Sequence, residues 1–174
     1  MKIFLNAGHG GTDCGACSKN GTKEADITLK IVNLLAQKLK LNGYPYCIYQ
    51  QKNSYFEISK EENSSGATLF ISIHCNSATS SSAKGVEVLY RTGSGKIRAD
   101  IMQKELVKST GLTNRGIKLR TDLHVLNRTK APAILIELAF LSNENEEKML
   151  RENPEKFVQG IWDAIKIYNK ERLL

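Results

Sequence analysis

Apolar residues fall into two kinds of pattern along the chain. Short, nearly unbroken runs occur at K-I-F-L-N-A (2–7), Y-P-Y-C-I-Y-Q (44–50), T-L-F-I-S-I-H (68–74) and A-I-L-I-E-L (133–138). Their length and β-branched content predict strands. G-V-E-V-L-Y (85–90) and D-L-H-V-L-N (122–127) alternate more, and are read as further strands with antiparallel edges. Between them the spacing becomes helical. Ile27, Ile31, Leu34, Leu35 and Leu39 share one face of a predicted helix from Glu24 to Leu41, which Asn42-Gly43 stops. A second helix is predicted over about 95–110, ending near Gly111, and a shorter one within 54–63. The last starts near Pro154 and carries Phe157, Ile161, Ile165 and Tyr168. Strands alternating with helices imply a three-layer α/β fold with a largely parallel sheet. The runs 68–73 and 133–138 are apolar enough to be buried on both faces.

A length of 174 residues fits a single domain, 1–174, around one core. S-A-T-S-S-S-A-K (77–84) is the one low-complexity stretch and is expected to be a mobile loop. No apolar stretch approaches the roughly 20 residues that cross a bilayer. The amino terminus, M-K-I-F-L-N-A-G-H-G, is too short in its apolar part for a secretory signal and reads as a first strand. The expected origin is therefore cytoplasmic synthesis or prior removal of a leader. Most of the net charge of +7 lies in 96–130, where nine cations face Asp100, Glu105 and Asp122. Such a segment suits an anionic polymer. Only 7% of residues are aromatic and no base-stacking motif is present, which argues against nucleic acid. Cys14 and Cys17 form C-x-x-C, but a structural zinc site wants a second such pair. Cys47 and Cys75 lie in apolar strands, so the four cysteines are expected to be reduced thiols.

Glu137 breaks the apolar run 133–143, where an unpaired charge is costly. Its position suggests a reason. Ligands of open α/β sheets bind beyond the carboxyl ends of the strands. His9 ends the first strand, His74 the strand at 68–74, and Glu137 the strand at 133–138. Glu24 opens the first helix and can point back to the same end. Two His and one Glu are an established zinc set that leaves a position for water. Strand alternation turns Cys75 away from the face of His74. Glu24 is thus assigned as the third ligand. Glu137, in apolar surroundings that raise its proton affinity, is assigned as general base. His124 is read as structural or as a neighbour of the substrate.

The blocks N-A-G-H-G-G-T-D-C-G-A (6–16), K-E-A-D-I-T-L-K (23–30), L-F-I-S-I-H-C-N (69–76), G-V-E-V-L-Y (85–90), N-R-G-I-K (114–118) and V-L-N-R-T-K-A-P-A-I-L-I-E-L-A-F-L-S-N (125–143) run through most of the chain. Together they resemble the zinc-dependent N-acetylmuramoyl-L-alanine amidases, which include cell-wall amidases and phage endolysins. The resemblance implies a twisted six-stranded sheet with helices on both faces. It implies one Zn2+ ion on His9, Glu24 and His74, with Glu137 catalytic. The implied reaction cleaves the amide between N-acetylmuramic acid and L-alanine in peptidoglycan. Asn76 and Arg115 are candidates for gripping the stem peptide. Lys60, Glu61 and Glu62 stand where the family often has Arg, and Ala139 where Gly is common. Some relatives carry a plugging helix after the second His; here only 77–84 intervenes, so an open site is expected. The basic 96–130 segment is expected to meet anionic wall polymers. Export by a phage-type lysis route, or by a leader and targeting domain lying outside this sequence, would bring the protein to the wall. The rival readings are a zinc carboxypeptidase-like exopeptidase and a non-enzymatic wall-binding module.

Overall fold

A computed structural model describes residues 2–50 and 54–171. Six strands form one sheet in the order β2-β1-β3-β6-β4-β5. They are β1 (Ile3–Ala7), β2 (Tyr46–Gln50), β3 (Leu69–Asn76), β4 (Val86–Tyr90), β5 (Asn114–Leu119) and β6 (Ala133–Phe140). The strands β2, β1, β3 and β6 run parallel, while β4 is antiparallel to β6 and parallel to β5. The helices are α1 (Glu24–Leu41), α2 (Tyr55–Ser65), α3 (Gly93–Thr110), α4 (His124–Arg128), α5 (Glu144–Glu152) and α6 (Pro154–Lys170).

Side-chain alternation splits the sheet into two unlike faces. Leu5, Ile71, Ile73, Cys75, Val88, Ile134 and Ile136 point to one side, where α1, α3 and α6 supply Ile31, Met102, Leu106, Phe157 and Ile165. Phe4, Phe70, Leu89 and Leu135 point to the other, where Ile58 of α2, Val125 and Leu126 of α4, and Leu123 and Ala131 beside α4 pack against them. This second layer is thin. It leaves the carboxyl ends of β3 and β6 open on that face.

The stretch 122–127 is not a strand. Leu123 and Leu126 are one helical turn apart, and both pack in the second core cluster, so the segment closes into α4 instead. The sixth strand is N-R-G-I-K-L, 114–119. It is an edge strand with little burial and Gly116 at φ 77°, so it lacks an apolar signal and exists by pairing with β4. The helix α5 was also silent in the pattern. Its E-N-E-E start is polar, yet Asn143 caps it by accepting from the Glu146 N–H at 3.2 Å. Glu146 then turns inward and accepts from the backbone N–H groups of Gly85 (2.7 Å) and Phe140 (2.8 Å). The loop 77–84 is fastened to the same region, through Ala78 N–H to Ser142 Oγ (3.1 Å) and Asn143 Nδ2 to the Ser81 carbonyl (2.9 Å).

The close approach of α6 to α3 depends on Gly160. A Cβ there would lie 2.9 Å from Leu106 Cα and 2.3 Å from Ser109 Oγ. Helix propensity alone favours Ala over Gly by about 1 kcal/mol, whereas overpacking costs about 1–3 kcal/mol. Gly160→Ala should therefore destabilise the fold, read as a lower urea midpoint; a midpoint at or above wild type would show that the helices separate freely.

Candidate metal and catalytic site

Glu24 sits at the first position of α1 with its side chain 5% exposed. A buried carboxylate needs donors, and four converge on it. Ala16 N–H donates to Oε2 and Cys75 N–H to Oε1, both at 2.9 Å. His9 Nε2 lies 3.2 Å from Oε2 and His74 Nδ1 lies 3.0 Å from Oε1. The two imidazoles stand edge to face with centroids 5.0 Å apart. His9, Glu24 and His74 each offer a donor atom, all within 4.8 Å of one another. They form the one such group of His, Cys, Asp and Glu found among the described residues.

The local sequence makes this approach possible. His9 itself adopts φ 61°, which is rare for a residue with a Cβ and places its ring over the strand ends. At Gly8 a Cβ would fall 2.3 Å from His74 Cε1. At Gly15, φ 65°, it would fall 2.6 Å from Glu24 Oε2 and 2.7 Å from the His9 ring. Asp13 Oδ2 holds His9 Nδ1 at 2.8 Å, which leaves Nε2 directed at the cluster.

Register aligns the next groups. His74 pairs with Glu137, and Glu137 with Glu87 across the antiparallel junction. All three lie on the thinly covered face, because they share alternation with Phe70, Leu135 and Leu89. Glu137 Oε2 is buried and has no hydrogen-bond partner among the described residues. Burial, and then the charges of Glu24 and Glu87, push the Glu137 carboxyl up to about 8. Burial would also raise Glu24, but the bonds from His74 and His9 hold it well below the usual carboxylate range. An unpartnered buried carboxylate oxygen beside three convergent N/O donors fits a divalent cation.

Asn76 and Arg115 both reach the rim of this site, joined through Glu87, which sequence reasoning had left out. Asn76 Nδ2 donates to Glu87 Oε1 (3.0 Å) and Arg115 Nε to Oε2 (2.8 Å), with the guanidinium 4.8 Å above the Phe140 ring. The signal for Glu87 was available: it is the one charge in V-E-V-L-Y. Asp13, also missed, follows His9 at a spacing of four in a glycine-rich loop. His124 opens α4 and binds Ser59 Oγ at 3.0 Å through Nε2. Cys14 and Cys17 are free thiols with sulfurs 3.2 Å apart on the loop between His9 and Glu24, Cys47 is a partly buried free thiol on β2, and Cys75 is buried on the opposite face from His74. The cations of 96–130 are dispersed: Arg98 is buried, while Lys104, Lys108, Arg115 and Arg120 each pair with a carboxylate.

Sheet, cluster and lone carboxylate have the make-up of a metal-assisted hydrolase. Relatives specify the class further. A family profile described as N-acetylmuramoyl-L-alanine amidase matches residues 3–167. The chain is 33% identical over 170 residues to the probable cell wall amidase LytH of Staphylococcus aureus, covering 95% of this chain and 57% of that protein. It thus spans little more than half the length of that relative. Among solved structures, the catalytic domain of CwlV, an N-acetylmuramoyl-L-alanine amidase from Bacillus (Paenibacillus) polymyxa var. colistinus, matches with a TM-score of 0.90 at 31% identity, over 97% of this chain and 98% of that one. The N-acetylmuramoyl-L-alanine amidase of Clostridium difficile 630 matches with a TM-score of 0.88 at 29% identity, over 97% and 96%. The chain belongs to the N-acetylmuramoyl-L-alanine amidase family.

Two outcomes follow from the geometry. Gly8→Ala should drive a methyl into the His74 ring and lower metal content per chain, measured by atomic absorption, with the sheet retained by circular dichroism. The second concerns pH. The hydrogen bond to Glu24, against the opposing effect of burial and with help from Asp13, raises His9 from its usual 6.5 to about 9. His9 and Glu137 therefore both hold protons in the folded, metal-free protein that the unfolded chain has released. Their contribution is present at low pH and is lost as pH rises, through about 8 for Glu137 and about 9 for His9. Glu24 and Asp13, both lowered, act oppositely and lose theirs only on acidification. Chelator-treated protein should show a melting temperature that falls between pH 6 and pH 9. Metal uptake at pH 7 should release protons, followed in weakly buffered solution.

Proposed function

We propose that this domain hydrolyses the amide between the lactyl group of N-acetylmuramic acid and L-alanine of the stem peptide in peptidoglycan. One zinc ion would be held by His9 through Nε2, by Glu24 and by His74. The observation that carries this reading is the convergence of those three donors beside the unpartnered oxygen of Glu137, in a chain of this family. Bound zinc would supply a Lewis acid that polarises the scissile carbonyl and acidifies water. Glu137 takes the proton of the attacking water on Oε2 and delivers it to the departing L-alanine nitrogen. Its raised proton affinity suits both directions, since a nearby cation draws the value back toward neutrality. Asp13 fixes the orientation of His9. Asn76 and Arg115, held by Glu87, would grip the stem peptide at the β4–β5 side. The net charge of 96–130 supports an added attraction to anionic wall polymers, and the wall is the proposed place of action.

Zinc-loaded protein should clear a cell-wall suspension, expose L-alanine amino termini and leave the glycan uncut. Release of single amino acids instead would identify an exopeptidase. Glu137→Gln should keep its metal and its melting temperature while turnover falls at least ~10²-fold. Near-normal turnover in that variant would remove Glu137 from the mechanism.

A further inference from the structure

A cavity of about 540 Å³ adjoins the metal-ligand cluster. His9 and His74 contribute to its wall, and so do Tyr55, Leu123 and His124 from α2 and the start of α4. Two of the lining rings, Tyr55 and His124, pack together and against Phe56, which lies outside the cavity lining. Tyr55 and His124 have centroids 5.0 Å apart, Tyr55 and Phe56 4.6 Å, and Phe56 and His124 4.5 Å. Tyr55 is 48% exposed and Phe56 60%, although both would bury well in a core. Ser59 Oγ fixes His124 at 3.0 Å, and burial followed by the Arg128 charge lowers its proton affinity. The cavity wall thus carries an exposed tyrosine ring packed against His124, continuous with the metal-ligand cluster.

We propose that Tyr55, backed by Phe56 and His124, is a glycan subsite that seats a pyranose ring of the sugar strand. The inference rests on the amidase reading and adds the direction in which the substrate lies. The scissile amide joins a sugar to a peptide, so substrate must leave the metal cluster two ways. The β4–β5 side carries Arg115 and Asn76 and suits a peptide bearing carboxylates. The α2–α4 side offers aromatic faces and, on the cavity wall, the polar groups of Asp13, Asp122, Asn127 and Arg128, with Asp13 paired to His9 and Asp122 to Arg120. A pyranose presents an apolar C–H face that covers an aromatic ring and hydroxyls that donate to carboxylates. Contacts made far from the reacting bond act on kcat/KM.

The test uses two substrates that share the scissile amide: a peptidoglycan oligosaccharide bearing stem peptides, and an N-lactyl-L-alanyl peptide without sugar rings. Tyr55→Ala should lower kcat/KM about tenfold on the first and leave the second unchanged, while Tyr55→Phe keeps both. A peptide-free glycan of the same length should inhibit wild type, and inhibit Tyr55→Ala about tenfold less. Equal losses on both substrates, at an unchanged melting temperature, would overturn the subsite and assign Tyr55 to the peptide or to site geometry. No loss on either would overturn it as well. Wild-type protein that cleaves neither substrate would fail at the level of the amidase reading and take the subsite with it.

Discussion

The site depends on one buried carboxylate. Glu24 gathers two backbone N–H groups and two imidazoles from two separated parts of the chain, the loop of His9 and Ala16 and the β3 end of His74 and Cys75. It therefore joins the His9 loop, the first turn of α1 and the end of β3 before any ligand arrives. Removing a partner from such a buried charge costs about 3–5 kcal/mol, so loop, helix and strand are energetically one unit. Gly8 and Gly15 belong to the same unit, because any side chain at either position would occupy the space of the rings that Glu24 holds.

The second constraint is the alternation of strands. Once Phe70, Leu89 and Leu135 commit to the thin core under α2 and α4, His74, Glu87 and Glu137 must face the same way. Pairing then sets them in a row. Burial first, and then the neighbouring charges of Glu24 and Glu87, raise the cost of ionising Glu137. The antiparallel entry of β4 brings Glu87 to this end of the sheet from the start of its strand instead of its finish.

Much of this was legible in the residues. The central strands β1, β3 and β6 and the helices α1, α3 and α6 announce themselves, because burial on both faces or along one stripe imposes a strong period. The rule that ligands gather at strand carboxyl ends then selects His9, His74 and Glu137. What stayed hidden was held by partners and not by pattern. The edge strand β5 carries polar residues and a glycine and is defined by β4 alone. The single turn of α4 has the apolar content of a strand, and only its packing under the sheet decides the matter. The helix α5 is polar along its start and is fixed by hydrogen bonds that Glu146 accepts from the N–H groups of Gly85 and Phe140 and that Glu147 accepts from Asn20 and Thr22. Asp13 lies in a loop and Glu87 at the amino end of β4, and the strand-end rule looks to carboxyl ends alone.

The span between β3 and β4 leaves Asn76 two residues after His74 and re-enters the sheet one residue before Glu87. Both of its feet are tied to the start of α5, by Ser142 and Asn143 near one end and by Glu146 at Gly85. Extra residues placed between those feet would extend beside Glu87 and Glu137 without shifting any strand. Shielding can thus be added to this scaffold, or taken away, by changing the length of one tethered bridge, with the sheet and the His9–Glu24–His74 cluster left as they are.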